Sequence, residues 1–241
     1  MPFLAPPSKT DFMSKAFDPE RFSTPLVVDA SSNSIQVGIP ENKGWLYVES
    51  VELPALEGLF RATECILNKV SRQLKEVDGL FFCQGPGSTL GLRISAAFVK
   101  TVLWESKDEI PLYSYNALDL ASRMLESPPV HLQAPFRKGW RFVRTQNGNE
   151  AIGGKDIHES ERALSLFPES HHLPDPRGND DSIDSSKLIT YDLTEAKGLQ
   201  DLKLVAQPVE SPKVYSPTPP SFKKWEPERT QSSKKESARS S

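Results

Sequence analysis

The stretch Val77–Trp104, VDGLFFCQGPGSTLGLRISAAFVKTVLW, decides the fold. It reads as strand, glycine loop, helix. Gly79–Cys83 is a short apolar run, and Gln84-Gly85-Pro86-Gly87 ends it, because that sequence cannot continue a strand. Ser88 or Thr89 supplies an N-cap hydroxyl for the apolar segment that follows. Two glycines flank a proline where the backbone turns sharply, and Gly91 lets the first helical turn approach its neighbour. Such a loop does one of two jobs. It aims backbone N–H groups and a helix dipole at an anion, or it packs a helix closely on a sheet. No P-loop lysine is present.

Upstream, Leu26–Ala30 is a β-branched run and reads as a buried strand. Ile35, Val37 and Ile39 alternate with Gln36 and Gly38, and Trp45–Val48 makes a third strand after a turn. Pro54–Val77 carries apolar residues at steps of three and four (among them Phe60 and Leu67) and predicts one long amphipathic helix. In the helix after the loop, Ile94, Ala97, Phe98, Val102 and Trp104 wrap most of the circumference. That predicts burial on most sides, with one side meeting either its own domain or another protein. Ile110–Tyr115 is another strand, and Asn116 caps a helix through Leu125.

The order βββαβαβα predicts an α/β fold with a mixed sheet. It is the order of one lobe of the actin-like ATPase, or ribonuclease H-like, fold. Beyond Ser127 the apolar density falls and a reduced second lobe is expected. Val130–Ala134 and Trp140–Thr145 read as a hairpin, 159–167 as a short helix, 168–186 as a polar loop, and Lys187–Tyr191 and Leu202–Ala206 as strands. The expected organisation is a flexible leader over 1–22, a first lobe over 23–127, the second lobe over 128–207, and a proline-rich, basic tail over 208–241. The tail is either solvated or a local contact for RNA phosphate or a partner.

Composition narrows the function. The 241 residues carry 29 basic and 32 acidic side chains, a formal charge of −3, which is not the balance of a broad nucleic-acid surface. Cys65 and Cys83 lie in apolar contexts and read as core thiols of a cytosolic protein. The leader lacks the continuous apolar stretch of a signal peptide, and no run approaches the roughly 20 apolar residues that span a bilayer. His131, His158, His171 and His172 form no metal-binding spacing, and the adjacent pair reads as solvent-exposed. Asp175 and the run Asp180-Asp181-Ser182-Ile183-Asp184 sit in a loop poorly suited to chelation. No nucleophile elbow appears. No catalytic residue, metal or cofactor is therefore assigned. Two residues carry open alternatives. Asp29, ahead of Ser31 and Ser32, either caps a turn or faces nucleotide phosphate and metal. Arg93, one turn into the helix, bridges to a partner or anion, or bonds neighbouring carbonyls.

The string Gly85-Pro86-Gly87-Ser88-Thr89-Leu90-Gly91-Leu92-Arg93-Ile94 resembles the GPGSFTGLRIG signature of the bacterial TsaB (YeaZ) family. It departs at Thr89-Leu90 and at Ser95. Leu26–Ser31 is similar to the family's opening strand, and the likeness covers roughly residues 25–126. The second lobe matches only loosely: Gln133-Ala134-Pro135 stands where the family has Asp-Ala-Arg. The resemblance implies a duplicated actin-like fold without its own catalysis. It implies a subunit that supports threonylcarbamoylation of tRNA adenosine by docking on a catalytic TsaD-type paralogue, with a TsaE-type ATPase joining. Contact with tRNA would be indirect, and a homodimer in the partner's absence is left open. On this view Phe60 and Leu67 of the long helix, and Ile94, Ala97 and Phe98 of the next, are the interface candidates. The rivals are an actin-like phosphotransferase using Asp29 and the 85–91 loop, and a degenerate glycoprotease-like protein.

Overall fold

In the first sheet, strand β1 (Pro25–Asp29) is an interior strand. The computed structural model describes residues 21–106, 110–178, 180 and 183–214. β1 runs antiparallel to β2 (Ile35–Glu41), which pairs with β3 (Gly44–Val51) across a bulge at Ile39/Pro40. On its other side β1 runs parallel to β4 (Gly79–Cys83), and β4 parallel to β5 (Leu112–Tyr115). Helix α1 (Ala55–Lys69) connects β3 to β4, α2 (Thr89–Glu105) connects β4 to β5, and α3 (Ala117–Met124) follows β5 with Asn116 as its cap. The spatial order β3-β2-β1-β4-β5 is that of an actin-like lobe.

The period-2 alternation of the strands sets the two faces of this sheet. Leu26, Val28, Leu80 and Phe82 face a core shared with Leu59 and Ile66 of α1 and Phe98 and Val102 of α2. Val27, Phe81, Cys83 and Tyr115 belong to a second core, shared with Leu132 and Phe142 of the second lobe. Each side chain so buried contributes about 1.5–3 kcal/mol relative to exposure. Both faces are covered, so the strands read as near-continuous apolar runs.

The second lobe is a reduced echo of the first. β6 (His131–Arg137), β7 (Trp140–Thr145) and β8 (Gly154–Glu159) form a meander, and α4 (Ser160–Leu166) leads to β9 (His171–His172), parallel to β6. The expected hairpin and short helix are both there; β8 and β9 carried no clear sequence signal.

Three expectations are corrected. The long helix stops at Lys69, because Ser71 takes a left-handed φ of 53° and a capping box between Gln73 and Glu76 starts a separate 3-10 turn over Leu74–Glu76. Leu202–Ala206 is not a strand: it falls in helix α5 (Leu199–Val205), which Gly198 opens at φ 55°, and in its C-cap. Lys187–Tyr191 makes only a bridge between Leu188 and His172. β10 (Gln207–Pro208) pairs with β5, so the chain's last described segment returns to the first sheet. Residues 1–20 of the leader and 215–241 of the tail lie outside the described residues. Phe22 is already packed, its ring edge-on to Phe81 and Tyr113 at centroid distances of 5.8 and 6.1 Å.

Candidate functional site

Asp29 ends β1 and is 1 % exposed. Its Oδ1 accepts from the Ser31 backbone N–H at 2.8 Å and from the Ser31 hydroxyl at 2.6 Å. Its Oδ2 accepts from the phenols of Tyr115 at 2.8 Å and Tyr191 at 2.7 Å. Tyr115 closes β5, and Tyr191 arrives from the segment that follows β9. A carboxylate has about four lone-pair sites, and here four protein donors occupy them. Burial, and then the Asp29 charge, push both phenols and the Cys83 thiol well above their ordinary values. The two phenols thus remain protonated donors through the neutral range.

The glycine loop closes over the same point. The Ser88 N–H donates to the Ser31 carbonyl at 2.7 Å, and the Ala117 N–H to the Gly85 carbonyl at 2.9 Å. Ser88 caps α2, its hydroxyl accepting from the Gly91 N–H at 3.3 Å. The Gly85–Pro86 peptide is cis. A Cβ on Gly87 would overlap the Ser31 carbonyl, and one on Gly91 the Ala30 carbonyl. The glycines therefore serve close packing of the loop and the first turn of α2 on the end of β1.

An actin-like nucleotide site would lie between these loops and the second lobe. Ser31, Ser32, Pro86, Gly87, Ala134, Pro135, Leu173, Pro174 and Tyr191 leave only about 20 Å³ there. That is room for about one water. With Asp29 saturated and the cleft filled, these residues do not fit a nucleotide phosphate with its metal. Among the described residues, no cluster of His, Cys, Asp and Glu is placed to hold a metal ion, and no helix is long and apolar enough to cross a membrane.

The other candidates separate by burial. Leu67 and Phe98 are each 6 % exposed and belong to the core beneath the surface, so they offer no contact area. Phe60 is 57 % exposed, its ring edge-on to Phe98 at 5.6 Å. Ile94 is half-buried, while Ala97 and Arg93 are exposed. Sequence reasoning missed three members of this surface: Leu56, Leu90 and Trp104 are 57, 66 and 80 % exposed. Leu90, Ile94, Ala97, Thr101 and Trp104 recur at steps of three and four and share one face of α2. The expectation that α2 is buried on most sides therefore holds for only one side of it.

The histidine pair is corrected. His172 is 3 % exposed and its Nδ1 lies 3.0 Å from Nη2 of buried Arg141. Burial, followed by the positive charges of Arg141 and Lys187, lowers its pKa to about 4. Asp175 accepts from the Arg177 guanidinium at 2.9 Å. Cys83 is buried and Cys65 half-buried, both free thiols.

The architecture is that of the actin-like, ribonuclease H-like class. No protein-family model matches the chain, and neither does any curated protein. Solved structures do. An uncharacterized protein with similarity to the peptidase YeaZ from Pseudomonas aeruginosa superposes with a TM-score of 0.54 at 17 % identity, covering 76 % of this chain and 89 % of its own. YeaZ from Pseudomonas aeruginosa gives a TM-score of 0.48 at 19 % identity, over 58 % of this chain and 68 % of its own. The chain thus resembles the TsaB (YeaZ) family in its fold as well as in its loop signature.

Proposed function

We propose that this protein is a non-catalytic subunit that supports threonylcarbamoylation of the adenosine next to the anticodon in tRNA. It docks on a catalytic TsaD-type paralogue through the outer face of α1 and α2 and holds that partner in its active form. The observation that carries the reading is the apolar band on that face. Leu56 and Phe60 on α1 and Leu90 and Trp104 on α2 are each more than half exposed. Large apolar side chains left in water along two packed helices mark an interaction surface, and aromatic residues dominate binding energy at such surfaces. The saturated Asp29 and the filled cleft support the non-catalytic part. The loop signature supports the choice of partner, and a TsaE-type ATPase joins the same complex.

The test is co-purification. The protein is tagged, isolated from its own cells, and compared with Ala97→Glu and Trp104→Glu. The TsaD-type paralogue is expected in near-equal amount with the wild type and to be lost from both variants. Isolation of the protein without the paralogue, or undiminished pairing in both variants, overturns the proposal.

A further inference from the structure

A separate cavity of about 250 Å³ opens where β4 and β5 end. Three parts of the chain wall it. Gln84, Ser114, Asn116 and Asp119 come from the first lobe, Phe142, Ile152 and Lys155 from the second, and Val205 and Gln207 from the returning segment. The carboxyl ends of parallel strands are where open α/β sheets hold their ligands.

The electrostatics of the wall choose the ligand's charge. Asp119 is 2 % exposed and pairs with two cations, Arg144 Nε at 2.8 Å and Lys155 Nζ at 2.7 Å. Arg144 stands behind the wall, fully buried, and its Nη1 has no hydrogen-bond partner among the described residues. The cluster therefore carries one positive charge in excess, in a setting where an unbalanced charge is costly. The wall also presents uncommitted donors. Asn116 uses its Oδ1 to accept from the Leu118 N–H at 3.0 Å, which leaves its NH₂ group. Among the described residues, the Gln84 side chain engages only its Oε1, which accepts from the Ser114 hydroxyl at 3.5 Å. Lys155 donates to Asp119 and to the Gly153 carbonyl at 3.0 Å and keeps a third hydrogen. Phe142, Ile152 and Val205 supply apolar surface.

We propose that this cavity binds a small carboxylate on a short aliphatic body, with Lys155, Asn116 and Gln84 taking the carboxylate and Phe142, Ile152 and Val205 the body. A cation meets the excess positive charge, and inorganic phosphate leaves the apolar surface uncovered. The site is independent of the α1/α2 face and stands or falls apart from the partner reading.

Titration calorimetry on the full chain tests it, with valerate, succinate and glutamate as probes and inorganic phosphate and pentylammonium as controls. At least one carboxylate is expected to bind saturably and the controls not to. Gln84→Leu and Lys155→Gln are each expected to weaken binding at least tenfold (about 1.4 kcal/mol), whereas Ala97→Glu leaves it unchanged. Gln84→Leu leaves the buried ion pairs intact, so the test survives if Lys155→Gln does not fold. The proposal is overturned if no carboxylate binds saturably at about 10 mM, where binding free energy falls below about 3 kcal/mol. It is equally overturned if a control binds as well, or if Gln84→Leu binds like wild type.

Discussion

Replacing Asp29 with alanine separates a structural aspartate from a catalytic one. The substitution removes the acceptor of four buried bonds, two from Ser31 and one each from Tyr115 and Tyr191. A hydrogen bond to a charged group contributes about 1.5–3 kcal/mol. The sum is not additive, since the hydroxyls can turn and removing the buried carboxylate relieves its desolvation. A net loss of about 3–5 kcal/mol is expected, in line with breaking other buried charged contacts. For a chain of this size it lowers the melting temperature by about 6–20 °C. Asp29→Asn, which keeps one carbonyl acceptor, falls between, and Tyr191→Phe loses about 1.5 kcal/mol. Urea and thermal unfolding give the magnitudes, and calorimetry with magnesium-ATP gives the control, for which neither wild type nor variant is expected to show heat. A melting temperature within about 2 °C of wild type would refute the reasoning, for Asp29 would then be structurally dispensable. Tight magnesium-ATP binding by the wild type, lost in Asp29→Ala, would refute it from the other side and restore the phosphotransferase reading.

Three further outcomes follow from the same geometry. Gly91→Ala pushes a methyl into the Ala30 carbonyl and is expected to cost about 1–3 kcal/mol, measured by urea unfolding; a variant as stable as wild type would show that the loop does not need this close approach. His172 takes up a proton near 6.5 when unfolded but only near 4 when folded, so stability is complete above about pH 6.5 and falls by about 3 kcal/mol as the pH drops toward 4. His172→Gln is expected to lose less over that range, and equal losses in the two proteins would remove His172 as the cause. Trp104→Glu alters a side chain that is 80 % exposed, so its unfolding free energy should stay within about 0.5 kcal/mol of wild type; a larger loss would mean that Trp104 belongs to the fold rather than to an interface.

The first sheet was legible because its signals are local. Alternation at Ile35, Val37 and Ile39 and punctuation at Gly85-Pro86-Gly87 each mark one element, and of the two hydroxyls that could cap the helix, Ser88 is the one that does. The break after Lys69 left no trace, since Val70, Leu74 and Val77 keep helical spacing across it. Leu202, Leu204 and Val205 form an apolar cluster too short to reveal its period, and a strand and a helical turn look alike there. The fate of Asp29 was out of reach for a different reason. Its donors Tyr115 and Tyr191 lie 86 and 162 residues away, and no local pattern ties them to β1. His172 likewise owes its burial to Arg141 across the second sheet, and nothing beside it in the sequence announces that contact.

The link to Tyr191 also bears on how the molecule can act. Actin-like enzymes work by opening and closing a cleft between lobes, which requires the cleft contacts to be weak. Here the segment after β9 ties back to the first lobe at several separate points. Tyr191 donates to Asp29, the Gln36 amide donates to the Tyr191 carbonyl at 3.1 Å and accepts from the Leu193 N–H at 2.8 Å, and the Trp45 indole donates to the Ala196 carbonyl at 2.8 Å. β10 then joins the edge of the first sheet. Opening the cleft would break buried bonds that no ligand in a 20 Å³ space can replace. The same bonds fix the sheet against which α1 and α2 pack. A face held rigid loses little conformational entropy when a partner covers it. The closure that leaves only about 20 Å³ at the cleft thus accords with the docking role proposed above.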